Sequence, residues 1–151
     1  MGRQLIVFTK RIEDYLETIF NFVEMKGQAR IKDIAENLYV RPPSATEMIQ
    51  KLAMKALVNR ERYGTIYLTR NGERIAKNVK KRREVIAKLL RIILVPEKIA
   101  YRDACVLEHK LDPKTIEQLK KFVNFVGNAR VQPRWIKHFK EYCDTGKNPL
   151  E

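Results

Sequence analysis

Between Ala104 and Leu111 the chain reads ACVLEHKL, which sets a thiol, a carboxylate and an imidazole at Cys105, Glu108 and His109. Spacings of three and four residues place such side chains on one face of a helix. All three are competent ligands for a divalent transition metal, so the chemistry in view is coordination. Alone, the C-x-x-E-H spacing is a weak signal, because an ordinary amphipathic turn also produces it. Asp14 and Glu17, in KRIEDYLETIFNFVEMKG, are a second candidate group, two carboxylates three apart beside an apolar stripe that must pack on something. Cys105 and His109 could instead be the nucleophile and base of an enzyme. That reading needs an orienting partner and a cleft, and no pattern identifies a substrate site or oxyanion donors. Neither an enzyme nor a small organic substrate is expected.

The elements that carry these residues follow from hydrophobic periodicity. Residues 10–27 form a helical stripe of Ile12, Leu16, Ile19, Phe20 and Val23, closed by Gly27. RIKDIAENLYV predicts a short second helix with Ile31, Ile34, Ala35 and Leu38 inward. RPPSATEMIQKLAMKAL opens with two prolines, which suit a first helical turn. Its apolar positions Ala45, Met48, Ile49, Leu52 and Ala56 leave Thr46, Glu47, Gln50 and Lys51 facing outward. The period then changes to two: in LVNRERYGTIYLT, Ile66 and Leu68 alternate against Thr65 and Tyr67 beyond a Tyr63-Gly64 turn, a β-hairpin. Three short helices and a hairpin make a winged helix-turn-helix with the third helix as reader.

Thr69 is placed to cap a long helix from about Arg70 to Ile93. Its residues Ala76, Val79, Arg83, Ile86, Leu90 and Ile93 form a heptad-like seam, apolar except for the arginine. Pro96 begins a helix over 97–111, with Ala100, Ala104, Leu107 and Leu111 inward and Tyr101, Cys105 and Glu108 on its flank. LDPKTIEQLKKFVNFVG carries an Asp112 cap and ends at Gly127. A last helical segment sets Trp135, Ile136, Phe139 and Tyr142 on one side; His138 and Cys143 in it receive no role. The fold class is therefore mainly α: an N-terminal winged helix-turn-helix followed by an all-helical domain, with the boundary near residue 70. The seam and the face of Ile116, Leu119 and Val123 are expected to be dimer surfaces; the seam alone could instead be the core of the helical domain.

A net charge of +13, from 31 Lys and Arg against 18 Asp and Glu in 151 residues, implies a polyanionic partner, nucleic acid above others. The alternative is a lysine-rich solubilising surface. Arg41, Pro42, Pro43, Ser44 and Thr46 stand at the start of the reader helix, where side chains reach base edges, with Glu47, Gln50 and Lys51 behind them. Ser44 and Glu47 also fit an S-x-x-E capping box that need not touch DNA. On the hairpin, Arg60, Arg62 and Tyr63 can reach phosphates or a minor groove, or form a solvated turn. No run of residues approaches the ~18–20 apolar positions of a membrane span, and LIVF at 5–8 is too short for a signal-peptide core. Two cysteines make no disulfide framework, so a reducing cytoplasm is expected.

EDYLETIF, DIAENLYVRPPSATEMIQKLAMKALV, the GTIYLTRNGE wing and RDACVLEHKL together resemble the diphtheria-toxin-repressor and manganese-transport-regulator family, in register from about Glu13 to Val126. The resemblance implies a homodimeric, metal-activated transcriptional regulator that binds a near-palindromic double-stranded DNA operator. It implies a winged-helix DNA-binding domain over 1–70, a metal-binding and dimerisation domain over 71–127 and a helical tail over 128–151. The length resembles the short members, which lack an SH3-like third domain. Asp14 and Glu17 fall where manganese-type members place two carboxylate ligands; Cys105, Glu108 and His109 fall on the second ligand helix. Cys105 resembles the iron-type branch and Asp14 the manganese branch. Mn, Fe, Co, Ni and Zn all remain open as the metal.

One position departs from the pattern. Arg83, in KKRREVIAKLL, aligns with the family's ligand histidine, and Ala87 and Tyr101 stand where iron-type members have glutamate and histidine. An inward arginine needs carboxylate partners; Asp14, Glu17 and Glu108 are the candidates. Either Arg83 only trims the site to one ion, or its guanidinium substitutes for the cation in a protein that binds DNA without metal, or it snorkels to solvent.

Overall fold

The computed structural model describes residues 9–150, so the LIVF run lies outside the described residues. Among the described residues, seven helices and three strands follow in the order α1 (Lys10–Lys26), β1 (Ala29–Arg30), α2 (Ile31–Asn37), α3 (Pro42–Met54), β2 (Val58–Arg60), β3 (Thr65–Leu68), α4 (Arg70–Ile92), α5 (Glu97–Leu107), α6 (Pro113–Gly127) and α7 (Arg134–Thr145). The chain divides into two compact units that meet between Lys80 and Lys81, inside α4. No helix among the described residues is long and apolar enough to cross a membrane.

In the first unit, α1 buries Tyr15, Leu16, Ile19 and Phe20 in a core shared with Ile34 and Ala35 of α2, Ala45, Ile49 and Leu52 of α3, Val58 and Ile66 of the sheet, and Ala76 of α4. Gly27 ends α1 at φ 74°, its N–H donating to Val23 O at 2.9 Å, a left-handed cap that glycine adopts without strain. The hairpin pairs Val58 with Leu68, Asn59 with Tyr67 and Arg60 with Ile66. A third strand that the alternation did not signal, β1, adds Ala29 against Ile66 and Arg30 against Thr65, giving the order β1-β3-β2. Two residues are too few to display a period; the pairing exists because Gly27 turns the chain directly onto the free edge of β3.

The side chain of Thr69 holds the junction between sheet and α4 through two backbone groups. Thr69 Oγ1 donates to Ala56 O at 2.7 Å and accepts from Gly72 N–H at 3.2 Å, so the expected cap forms and also clamps the end of the reader region. The Ser44–Glu47 capping box does not form. Arg41 is the N-cap of α3, which leaves Ser44 already inside the helix, and Glu47 Oε1 instead meets Lys51 Nζ at 2.8 Å.

In the second unit Ile86, Ala87 and Ala104 form the core, covered by Leu90, Leu107, Leu111, Ile116 and Leu119. The seam therefore serves as intrachain core at Ile86, while Ile93 at its end is exposed. Ile116 and Leu119, read as part of a dimer surface, pack on this core. The helix expected over 97–111 ends at Leu107, but Glu108 keeps αR geometry and its N–H reaches Ala104 O at 3.0 Å. Asp112 caps α6 as expected, Oδ1 accepting from Lys114 N–H at 2.8 Å. No disulfide joins Cys105 and Cys143.

Candidate nucleic-acid interface and metal centre

The polar face of α3 is set by the burial of Ala45, Ile49 and Leu52 on the opposite face. Arg41, Pro42, Pro43, Glu47, Gln50 and Lys51 are exposed, and Ser44 and Thr46 are half-buried. Thr46 Oγ1 donates to Pro42 O at 3.0 Å, which occupies its hydrogen and leaves lone pairs for a partner. Lys51 holds the Glu47 carboxyl below the ordinary glutamate range through a hydrogen bond and its charge. The wing turns at Gly64, φ 79°, and leaves Arg60, Arg62 and Tyr63 exposed. Every residue assigned to the reading face except half-buried Ser44 and Thr46 is thus open to solvent in the unit that holds it.

Sequence reasoning passed over Tyr39. It stands in the turn between α2 and α3 at φ 55°, 96% exposed, where a non-glycine residue is uncommon. No sequence signal marks this position, because a left-handed turn of this kind is normally announced by Gly or Asn.

Of the metal candidates, Asp14 is half-buried and Glu17 buried on α1 of the first unit. The other three belong to the second unit. Glu108 is 2% exposed; His109 follows it with Nε2 3.5 Å from Glu108 Oε1 and a side chain only 5% exposed. Cys105 is half-buried one turn earlier. Among the described residues, no three His, Cys, Asp or Glu side chains are gathered as ligands of one ion. The structure brings Glu108 and His109 together.

It also brings Arg83 to them. Nε donates to Glu108 Oε1 at 3.1 Å and Nη2 to the same oxygen at 2.5 Å. Nη1 donates to Tyr101 Oη at 3.3 Å, and the guanidinium carbon lies 5.6 Å from the Tyr101 ring centre, a cation–π distance. The Arg83 side chain is 10% exposed and that of Glu108 fully buried, so arginine does not snorkel to water. A buried carboxylate without a cation is very costly; α4 delivers the cation because Arg83 lies on the same stripe as Val79 and Ile86.

The chain matches the model of the iron dependent repressor N-terminal DNA binding domain over residues 7–66, and that of the iron dependent repressor metal binding and dimerisation domain over residues 69–133. It belongs to the iron-dependent repressor family. Relatives include the HTH-type transcriptional regulator MntR of Bacillus velezensis, 39% identical over 95% of this chain and 99% of that one. MntR of Bacillus subtilis is also 39% identical, over 88% of this chain and 94% of its own. A solved manganese-dependent transcriptional repressor in complex with manganese superposes with a TM-score of 0.69 at 27% identity, covering 81% of this chain and 55% of that one. The IdeR structure from T. acidophilum gives a TM-score of 0.65 at 28% identity, over 72% of this chain and 52% of that one. Like other iron-dependent repressors, this one is a metal-dependent, DNA-binding transcriptional regulator; its winged helix-turn-helix matches the family's DNA binding domain, and residues 69–133 match its metal binding and dimerisation domain.

Proposed function

We propose that this repressor binds a near-palindromic operator as a homodimer in the cytoplasm, in response to a divalent ion held by Asp14, Glu17, Cys105, Glu108 and His109, with no catalytic turnover. The domains assigned to these tasks are 1–70 for DNA, 71–127 for metal and dimerisation, and 128–151 as a helical tail. The observation that carries the reading is the buried Glu108–His109 pair in a chain whose reader helix presents an exposed polar face. Two readers, one from each protomer, lie in successive major grooves with half-sites about one helical turn or a multiple apart. Arg41 and Gln50 hydrogen-bond base edges, as their fork and amide suit guanine and adenine. Lys51, Arg60, Arg62 and Tyr63 hold phosphates and fix the register.

The donor set fits one divalent ion: a thiolate, an imidazole and carboxylates suit Fe(II), Co(II), Ni(II) or Zn(II), and the two α1 carboxylates also admit Mn(II). These side chains would hold the ion, which would supply the positive charge that offsets their carboxylates. The chain's residues then bias the readers toward the DNA-competent arrangement, which needs only a few kcal/mol of differential affinity.

A second reading has its own observation. The Arg83 guanidinium already lies on Glu108, and a protein so arranged could bind its operator without metal. Operator binding by chelator-stripped protein, titrated with Mn(II), Fe(II) and Zn(II) against a scrambled fragment, separates them. Loss on stripping and recovery with metal supports the first; undiminished binding by stripped protein supports the second.

A further inference from the structure

Arg83 and Glu108 are the two buried charged residues of the second unit among the described residues. They form a neutral pair, so the interior of this unit is compensated before any metal arrives. The guanidinium is held on two sides, by Glu108 Oε1 through Nε and Nη2 and by the Tyr101 hydroxyl through Nη1. His109 Nε2 lies 3.5 Å from the same oxygen, so the Arg83 guanidinium and the His109 imidazole converge on Oε1.

We propose that Arg83 is a built-in rival of the divalent ion for Glu108. It neutralises the carboxylate in the metal-free protein, and it has to share or release Oε1 when metal is taken up. The inference rests on the reading of Glu108 as a metal ligand. Its physical basis is that arginine keeps its proton throughout the working pH range. A histidine can become a neutral ligand and a lysine can deprotonate when buried; a guanidinium can do neither. Its charge therefore opposes a second cation on the same carboxylate, in a buried setting where screening is weak. Two consequences follow for this chain. Metal uptake is weak, so the regulator responds only at a raised metal concentration. The second unit keeps its fold without metal, because Glu108 is never an uncompensated buried charge.

The test uses the full-length protein, stripped by chelator, as wild type, R83Q and R83K. Affinity for Mn(II) and Zn(II) is read by competition with a fluorescent chelator, and thermal unfolding is read with and without metal. R83Q is expected to bind metal about 10- to 100-fold more tightly, the range typical of groups that act on a ligand. Its metal-free melting temperature falls, and metal restores it. R83K, which keeps the charge on a looser hold, falls between R83Q and wild type. Equal metal affinity in wild type and R83Q overturns the proposal while leaving Glu108 a ligand. If R83Q does not fold even with metal, equal affinity in wild type and R83K overturns it. If none of the three takes up metal, the ligand assignment of Glu108 itself is wrong.

Discussion

The carbonyl oxygen of Leu57 stands where a side chain would begin at position 72: a Cβ built on Gly72 meets it at 2.1 Å. Backbone, not a flexible side chain, is the obstacle, so the first turn of α4 can approach the entry of β2 only with glycine there. Gly72→Ala is expected to destabilise the protein by about 1–3 kcal/mol or more, as overpacking against an unyielding neighbour does. Urea unfolding followed by circular dichroism checks this; an unchanged midpoint would show that the junction gives way.

Thr69 acts at the same junction through its hydroxyl, bonded to Ala56 O and Gly72 N–H. Thr69→Ala should cost about 0.5–2 kcal/mol, the usual loss for a helix cap, and Thr69→Ser should recover most of it. The same unfolding measurement distinguishes the two variants.

Arg41 and Gln50 are exposed, so replacing them by alanine should leave stability unchanged. Operator binding is expected to weaken by about 1–3 kcal/mol for each residue that makes a paired contact with a base. Binding to scrambled DNA should hardly change. A mobility-shift titration on both fragments decides it, and equal losses on both would make these residues phosphate contacts.

On the wing, Arg60→Ala and Arg62→Ala should weaken binding to all sequences alike. Each is expected to lower the slope of log affinity against log salt by about 1. A fluorescence anisotropy series in potassium chloride measures the slope, and an unaltered slope would remove the wing from the interface.

Glu47 carries a negative charge on the reading face and ties up Lys51 at 2.8 Å. Its carboxyl is held below the ordinary glutamate range by that lysine. The charge pair is therefore complete above the ordinary range and is lost as pH falls through the depressed value. At neutral pH, Glu47→Gln removes the repulsion of phosphate and frees Lys51, so affinity for scrambled DNA should rise and its salt slope steepen by up to about 1. The anisotropy series reads both quantities.

Local chemistry made much of this protein legible in its sequence. The stripes of α1 and α3, the prolines at 42 and 43, the Tyr63-Gly64 turn, the Thr69 and Asp112 caps and the excess of positive charge each act over a few residues. Such signals do not depend on what lies elsewhere in the chain, and together they predict a winged helix-turn-helix with a reader helix within 41–57; the helix itself stops at Met54, and Ala56, expected inward, is an exposed residue at φ 54°. Strand β1 was not legible, because two residues gain their conformation from the free edge of β3, which is distant in sequence. The seam on α4 announced a buried face but not its partner; packing against α5 and α6 made it core at Ile86. Arg83 is the clearest case. Its place on that apolar stripe offered an inward cation in need of a carboxylate, but left open that the side chain snorkels to solvent, which its 10% exposure rules out. Which carboxylate it finds, Glu108, depends on how α4 and the end of α5 come together across 25 residues, and periodicity carries no information about distance between helices. Residue types and spacing determined the fold class and the chemistry on offer; tertiary packing alone decided which charges would meet, because only packing brings groups far apart in the chain within reach of one another.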